Sequence, residues 1–523
     1  ASLGNAAGVM SNIFLSAAIL EMANRDAGCG YLHDEDYLNS LDDEQEATEC
    51  KGRVYGQRPA TIYLLTTTLA ALCVAALNPF VGSVIDNTRF RKEVGFSCLL
   101  GVAGVQFAQI AILDPGLWFA VCLLQVPAIV GNFVNLLVLS AYLPELADTQ
   151  EGLNHAASWN TLALFSSEMS FVVVVASVSV VCLESDNLAT AAFSQGLAGF
   201  VVCGTALAVY GVFLKKRDKP KVTLRHAVGA GLSNLKGSWA QLSLEFPFVR
   251  RYLIGTAFAE ASLSSFSAIA SVYMVNQLGA TGAQLAMVIF SLLLVGALIT
   301  PVADQASRWC GKRWGDEHAG KPLLCGSLFY FALVTEAAPF VLVKRRDLPL
   351  AFLFAVLWGA GMAFYYSTLK PIYFFIVPGG EEAKFSGLFT LFQVIIAWAP
   401  LLFFSVAYEW TGSLAGGFHC LAVFMLIAGL ILYSVDVPEA RKMVLRSGTL
   451  AIREKMVRQT SLDDHSSSNE LERSESGGRD GGRALGVLDG NGGGVREVRV
   501  IKVAVAISPT TTTTAAAAAT TAA

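Results

Sequence analysis

Along the chain, apolar residues gather into twelve runs, each close to the roughly 20 residues that a helix needs to cross a hydrocarbon core. They cover residues 3–22, 60–80, 94–113, 116–143, 157–183, 190–214, 250–275, 282–302, 322–343, 349–376, 385–408 and 413–434. The pattern predicts an all-α membrane protein of about twelve transmembrane helices. Within three runs the polar positions recur at helical spacing and so share a face. Run seven carries Thr256, Glu260, Ser264, Ser267 and Ser271; run four carries Gln125, Asn132 and Asn135; run one carries Asn5, Asn12 and Ser16. Polar groups in lipid are costly unless they face protein or a water-filled cavity.

Composition agrees with this pattern. Of the 523 residues 54% are hydrophobic and 15% charged, against roughly 25% charged in soluble domains. Stretch 23–58 holds 13 charged side chains and stretch 436–523 holds 23, leaving 42 for the other 399 residues. A net charge of −4 with no large basic face argues against nucleic-acid binding. Lys and Arg concentrate in loops after even-numbered runs, Lys344, Arg345 and Arg346 being the exception, so both termini are expected in the cytoplasm. Eight of the ten cysteines lie in runs or in the loop expected to be cytoplasmic. Cys29 and Cys50 share the acidic loop on the far side, either as a disulfide or as two unrelated thiols. The first residue is Ala, almost inside run one, which points to sequence upstream. No cleavable signal is recognisable.

A basic stretch, 215–249, divides the chain into six runs (1–214, with the acidic loop 23–58) and six more (250–435), followed by a tail (436–523) whose composition reads as disordered. After run two, Gly82, Asp86, Arg91 and Lys92 form a charged turn; Asp304 with its neighbouring basic residues forms a weaker counterpart after run eight. Asp86 can accept charge-assisted bonds and latch the halves in one state. The alternative is ordinary positive-inside charge. The spacing resembles the loop signature of the major facilitator superfamily, with one residue inserted. A Gly-x-x-x-x-Gly-Lys-Ser/Thr string is absent from the sequence, so the expected energy source is a gradient.

Several stretches resemble a branch of that superfamily, the vacuole effluxers known as autophagy-related protein 22. They are Ala1 to Gly28, Leu139 to Ala147, and Val377 to Phe389 followed by Trp398, Pro400 and Thr411-Gly412. Two departures stand out. The family's Lys-Gly-Ser-Ser run is replaced by Val394 to Ala397, and its Gly-Tyr pair is absent around Ala157 to Trp159. The resemblance implies a multi-pass protein of the vacuolar or lysosomal membrane that releases neutral amino acids to the cytosol in autophagic recycling. In superfamily members spans one, four, seven and ten line the cavity.

The expected site follows. Glu260, deep in run seven, is assigned to meet a substrate ammonium or exchange a proton, and Lys370 in run ten to attract a carboxylate, with snorkelling to the interface as its alternative. Asn12, Asn132 and Asn135 are placed along the path, though small polar residues also serve helix packing. Glu168 and Glu336 are either proton carriers or hydrogen-bonding partners of neighbouring helices. The partners expected are a small-molecule substrate and membrane lipid, around a monomer with no metal and no cofactor. Competing readings are an effluxer of another small organic solute and a scaffold that kept the fold but lost translocation. An enzyme is disfavoured, because the six His residues are scattered without metal-ligand spacing.

Overall fold

The computed structural model describes residues 2–29, 50, 52–142, 150–214, 229, 233, 236, 237, 239–314, 320–377 and 382–446. Most of the central basic loop, the turn after Val377 and the tail beyond Arg446 therefore lie outside the described residues, as do the side chains of Asp86, of 151–162 and of 382–384. Among the described residues every regular element is helical, apart from an isolated bridge between Val54 and Gln57.

Among the described residues, twelve helices are long and apolar enough to span a membrane. They are α1 (Ser2–Asp26), α2 (Pro59–Asn87), α3 (Arg91–Gln109), α4 (Trp118–Tyr142), α5 (Gln150–Cys182), α6 (Asn187–Ala206), α7 (Pro247–Leu278), α8 (Gly282–Trp314), α9 (Lys321–Val341), α10 (Leu348–Ile376), α11 (Glu382–Val394 and Ala399–Thr411) and α12 (Ala415–Tyr433). Helix α6 continues as a π-helical turn, Leu207–Phe213. The apolar runs match these helices one for one, but several helices outlast them. Helix α8 continues to Trp314 and α1 to Asp26, because hydropathy marks the hydrocarbon boundary while backbone hydrogen bonding carries on into water. Starts are set by proline at the first turn of α2, α7, α9 and α10, where the missing N–H costs nothing. Helix α7 ends at Gly279, whose positive φ of 61° closes a left-handed cap.

Burial separates central from peripheral helices. The most apolar windows of α1 and α7 are 89% and 78% buried inside the protein, against 28% for α5, α6 and α8. The two central helices are the first of each six-helix half. In the second half the core is aromatic: Trp358 packs against Phe266 (centroids 4.8 Å) and Phe418 (5.9 Å), and Phe418 against Tyr273 (4.8 Å). Outside, bulky side chains such as Val181, Phe200, Val212 and Trp410 are exposed, as a lipid-facing surface requires. Close packing uses glycine where backbones nearly touch: a Cβ at Gly359 would stand 2.4 Å from the Leu292 carbonyl oxygen, so α8 and α10 pack only with glycine there.

The tail does not begin as disorder. Residues 437–446 are helical, with the Asp436 carboxylate accepting from the Glu439 N–H (3.0 Å) and with Val437, Ala440 and Val444 buried. Arg441 donates to the Phe375 carbonyl at 2.9 Å, over the Phe375 ring. Charge content hid this helix, whose apolar residues fall on one face.

The loop after α1 returns to α2 through a Cys29–Cys50 disulfide, with Cα atoms 5.7 Å apart. The membrane face that carries it is called the disulfide face below. The start of α1 and the end of α12 lie on the other, the terminal face.

Candidate functional site

Between the halves lies a cavity of about 350 Å³, within the ~300–1,000 Å³ typical of small-molecule sites. Helix α1 presents Asn5, Asn12 and Ser16 to it, α4 presents Gln125 and Asn132, and α7 presents Ser264, Ser267 and Ser271. These residues come from the three polar stripes of the sequence, whose other members Thr256, Glu260 and Asn135 lie outside the lining. Two helices were missed: α2 adds Tyr63 and Thr67, and α11 adds Val394, Ala397 and Leu401. The spacing of Tyr63, Thr67, Ala71 and Val74 in α2 was the available signal, masked by apolar neighbours. Helix α10, expected to line the cavity, adds no side chain to the lining.

Among the described residues no charged side chain lines the cavity; its polar groups are amides and hydroxyls set among apolar side chains. Asn12 donates to the Gly8 carbonyl at 3.3 Å. Asn132 lies where a Cβ at Gly8 would come within 2.7 Å of its Oδ1. Among the described residues neither polar atom of the Asn132 side chain has a hydrogen-bond partner, and the Gln125 amide nitrogen has none. A ligand or water that supplies those bonds would remove an energetic penalty of about 1–3 kcal/mol per group. At the opposite wall, Ser265 donates to the Ala397 carbonyl (3.0 Å) and fixes α7 against the break in α11.

Glu260 sits one turn from Ser264, buried, outside the cavity lining. Its Oε1 accepts from Tyr365 of α10 (3.1 Å) and from Gln393 of α11 (3.2 Å), the residue next to cavity-lining Val394. Lys370 is six residues from the end of α10, exposed, and interacts electrostatically with Glu260. Tyr366, one turn before it, interacts electrostatically with both Glu260 and buried Glu168 of α5. Glu260 thus lies within electrostatic reach of Lys370, and Tyr366 within reach of both Glu260 and Glu168, beside the cavity.

Other expected site residues lie elsewhere. Asn135 accepts from the Tyr210 hydroxyl at 2.7 Å, joins α4 to the π-helical end of α6 and does not line the cavity. Glu336 pairs with His419 at 2.8 Å, both side chains nearly half exposed, in a contact between α9 and α12 away from the cavity. In the charged turn after α2, Arg91 donates to the Ala141 carbonyl (3.0 Å) over the Tyr142 ring, and Lys92 donates to the Leu214 carbonyl (2.8 Å). Both bases cap helix ends of their own half, where the last carbonyls attract cations. In this state these bonds do not join the two halves. A Cβ at Gly82 would meet nothing within 4 Å, so close packing does not demand glycine there. Among the described residues there is no cluster of metal-ligating side chains.

Twelve helices in two halves around a central cavity define a membrane protein with the fold of major facilitator superfamily transporters. A model of the "Vacuole effluxer Atg22 like" family matches residues 2–444, and the chain belongs to that family. Among solved structures, a D-xylose-proton symporter is similar over 83% of this chain and 96% of its own, at 12% identity and a TM-score of 0.55. The inward-open xylose transporter XylE from E. coli is similar over 83% and 95%, at 14% identity and a TM-score of 0.51. At these identities the likeness is one of fold. No curated protein sequence matches the chain significantly.

Proposed function

We propose that this protein exports small neutral amino acids from the vacuolar or lysosomal lumen to the cytosol by alternating access, with the disulfide face lumenal and both termini cytoplasmic. The observation that carries the reading is the division of the site into two parts. An uncharged cavity with apolar walls suits an amino-acid side chain. Glu260, Lys370 and Glu168 beside it suit the ammonium and carboxylate, or a coupling proton. Membership of the vacuole effluxer family supports the direction and the compartment.

In this reading Glu260 is the coupling residue, held by Tyr365 and Gln393 on two helices of the second half. Uptake of labelled neutral amino acids into proteoliposomes should fall at least about tenfold in Glu260→Gln at unchanged expression. Undiminished uptake would overturn the role. For Lys370, the Lys370→Met variant should raise the half-saturating substrate concentration if the ammonium meets a carboxylate. An unchanged value would assign Lys370 to the interface instead.

A second reading rests on the absence of charge from the cavity lining. Amides and hydroxyls alone would also recognise an uncharged polyhydroxylated solute. A flux panel of neutral amino acids and of neutral polyols separates the two.

A further inference from the structure

Among the described residues, three polar contacts join the halves on the disulfide face. Asn24 of α1 donates to Asn276 of α7 at 2.8 Å. The Arg58 N–H, at the start of α2, donates to Glu409 of α11 at 2.7 Å, and the Arg53 guanidinium lies 3.7 Å from the other oxygen of that carboxylate. Asn187 of α6 accepts from the Gly282 N–H of α8 at 2.7 Å, while its own amide donates to Glu21 of α1 at 2.7 Å. Each contact links a different pair of helices, one from each half.

Their level in the molecule matters as much as their number. Asn24 lies eight residues past Ser16, the last cavity residue of α1; Asn276 lies five past Ser271; Arg58 lies five before Tyr63; and Glu409 lies eight past Leu401. At ~1.5 Å per residue the Asn24–Asn276 and Arg58–Glu409 contacts stand about 8–12 Å from the cavity along their four helices. Between them and the cavity the side chains of Ile19, Leu20 and Ile62 are buried.

The disulfide belongs to this arrangement. Cys29 follows Asn24 by five residues, and its N–H donates to the Asn24 carbonyl (2.8 Å). Cys50 is only three residues before Arg53, and a Cβ on Gly52 would overlap the Ala27 carbonyl, so the returning chain is pressed onto the end of α1. The Arg58 guanidinium lies 5.0 Å over the Tyr408 ring and against Gly412, whose φ of 77° turns the chain after Glu409. Two of the three contacts are thus tied to one another through the disulfide.

We propose that these contacts are the gate that closes the cavity toward the disulfide face, with Glu409 as its hub and the Cys29–Cys50 disulfide as the tether that holds Arg53 and Arg58 to it. Glu409 and Asn276 act as gating residues and do not touch substrate. The inference rests on reading the cavity as the translocation site, and its test does not depend on the substrate.

The test uses the full chain with its eight free cysteines replaced, Cys29 and Cys50 kept, and Ser267→Cys as reporter in the cavity. It is reconstituted with the disulfide face outward and treated with a membrane-impermeant methanethiosulfonate. Adding Glu409→Ala and Asn276→Leu should speed labelling of the reporter by at least about tenfold, the loss of roughly 1.4 kcal/mol of closure. Glu409→Gln, which keeps an acceptor for the Arg58 N–H but loses the charge facing Arg53, should give a smaller increase. An unchanged labelling rate in a protein that elutes as a single folded species would overturn the proposal. If the double variant does not fold, the Cys29→Ser, Cys50→Ser pair tests the tether: faster labelling supports the gate, and an unchanged rate refutes the tether. Separately, a bifunctional thiol cross-link between Asn24→Cys and Asn276→Cys should leave the reporter unlabelled from that side under every condition. Labelling through the cross-linked protein would place the gate elsewhere.

Discussion

At the scale of single residues, Asn132 and Gly8 show a polar group held against a membrane cavity at a cost in stability. Gly8 provides the space, and the amide is left with no protein partner. Gly8→Ala would place a Cβ 2.7 Å from Oδ1, so the amide or α1 must shift. The expected outcome is a lower melting temperature in thermal-shift measurements, for a cost of about 1–3 kcal/mol. Asn132→Leu should behave differently. It removes an unpartnered polar atom, so stability should hold or rise while substrate affinity falls; a drop in stability with unchanged affinity would make Asn132 a packing residue. Asn135, three residues on, bonds to Tyr210, and Tyr210→Phe should cost about 1 kcal/mol of stability with transport unchanged. Sequence spacing placed Asn132 and Asn135 on one face without distinguishing them. The deciding contact comes from a helix end 75 residues away, which no local pattern contains.

At the scale of helices, the polar stripes of α1, α4 and α7 were legible because membrane helices advertise every polar position they keep. What was not legible is which helix turns which face inward. Helix α10 carries Lys370 but directs no side chain to the cavity, whereas α2 and α11 contribute mostly apolar surface. Apolar residues that line a cavity look like apolar residues that face lipid. The break in α11 between Val394 and Ala399 falls where the family resemblance departs, and Val394 and Ala397 line the cavity. This element is therefore the place to look for a change in substrate selectivity. Ala397→Ser should alter the ranking of substrates in a competition panel without changing the melting temperature. Glu336 was equally visible as an intramembrane acid, yet its partner His419 is on α12, at the outer surface. Glu336→Gln should leave flux at its normal rate.

At the scale of the whole molecule, fold class was settled by length and apolar content, since few architectures satisfy backbone hydrogen bonds in lipid. The charged turn after α2 was also recognisable, but its bonds were not. Arg91 and Lys92 hold the ends of α4 and α6, and the contacts between halves lie on the other face, made by Asn24, Arg58, Asn187, Asn276 and Glu409. Three of these are asparagines near helix ends, which in sequence read as ordinary loop residues.

In the proposed function, the cavity and the adjacent Glu260, Lys370 and Glu168 together move a neutral amino acid across the membrane. The most direct measurement is flux of a panel of labelled neutral amino acids through proteoliposomes holding the full chain, with and without an imposed pH gradient, beside Glu260→Gln. The account expects saturable flux of at least one neutral amino acid, driven by acid on the disulfide face, with both the flux and its response to the gradient lost in Glu260→Gln. Flux that is absent across the panel, or that Glu260→Gln carries at the normal rate and with the normal response to pH, would contradict it.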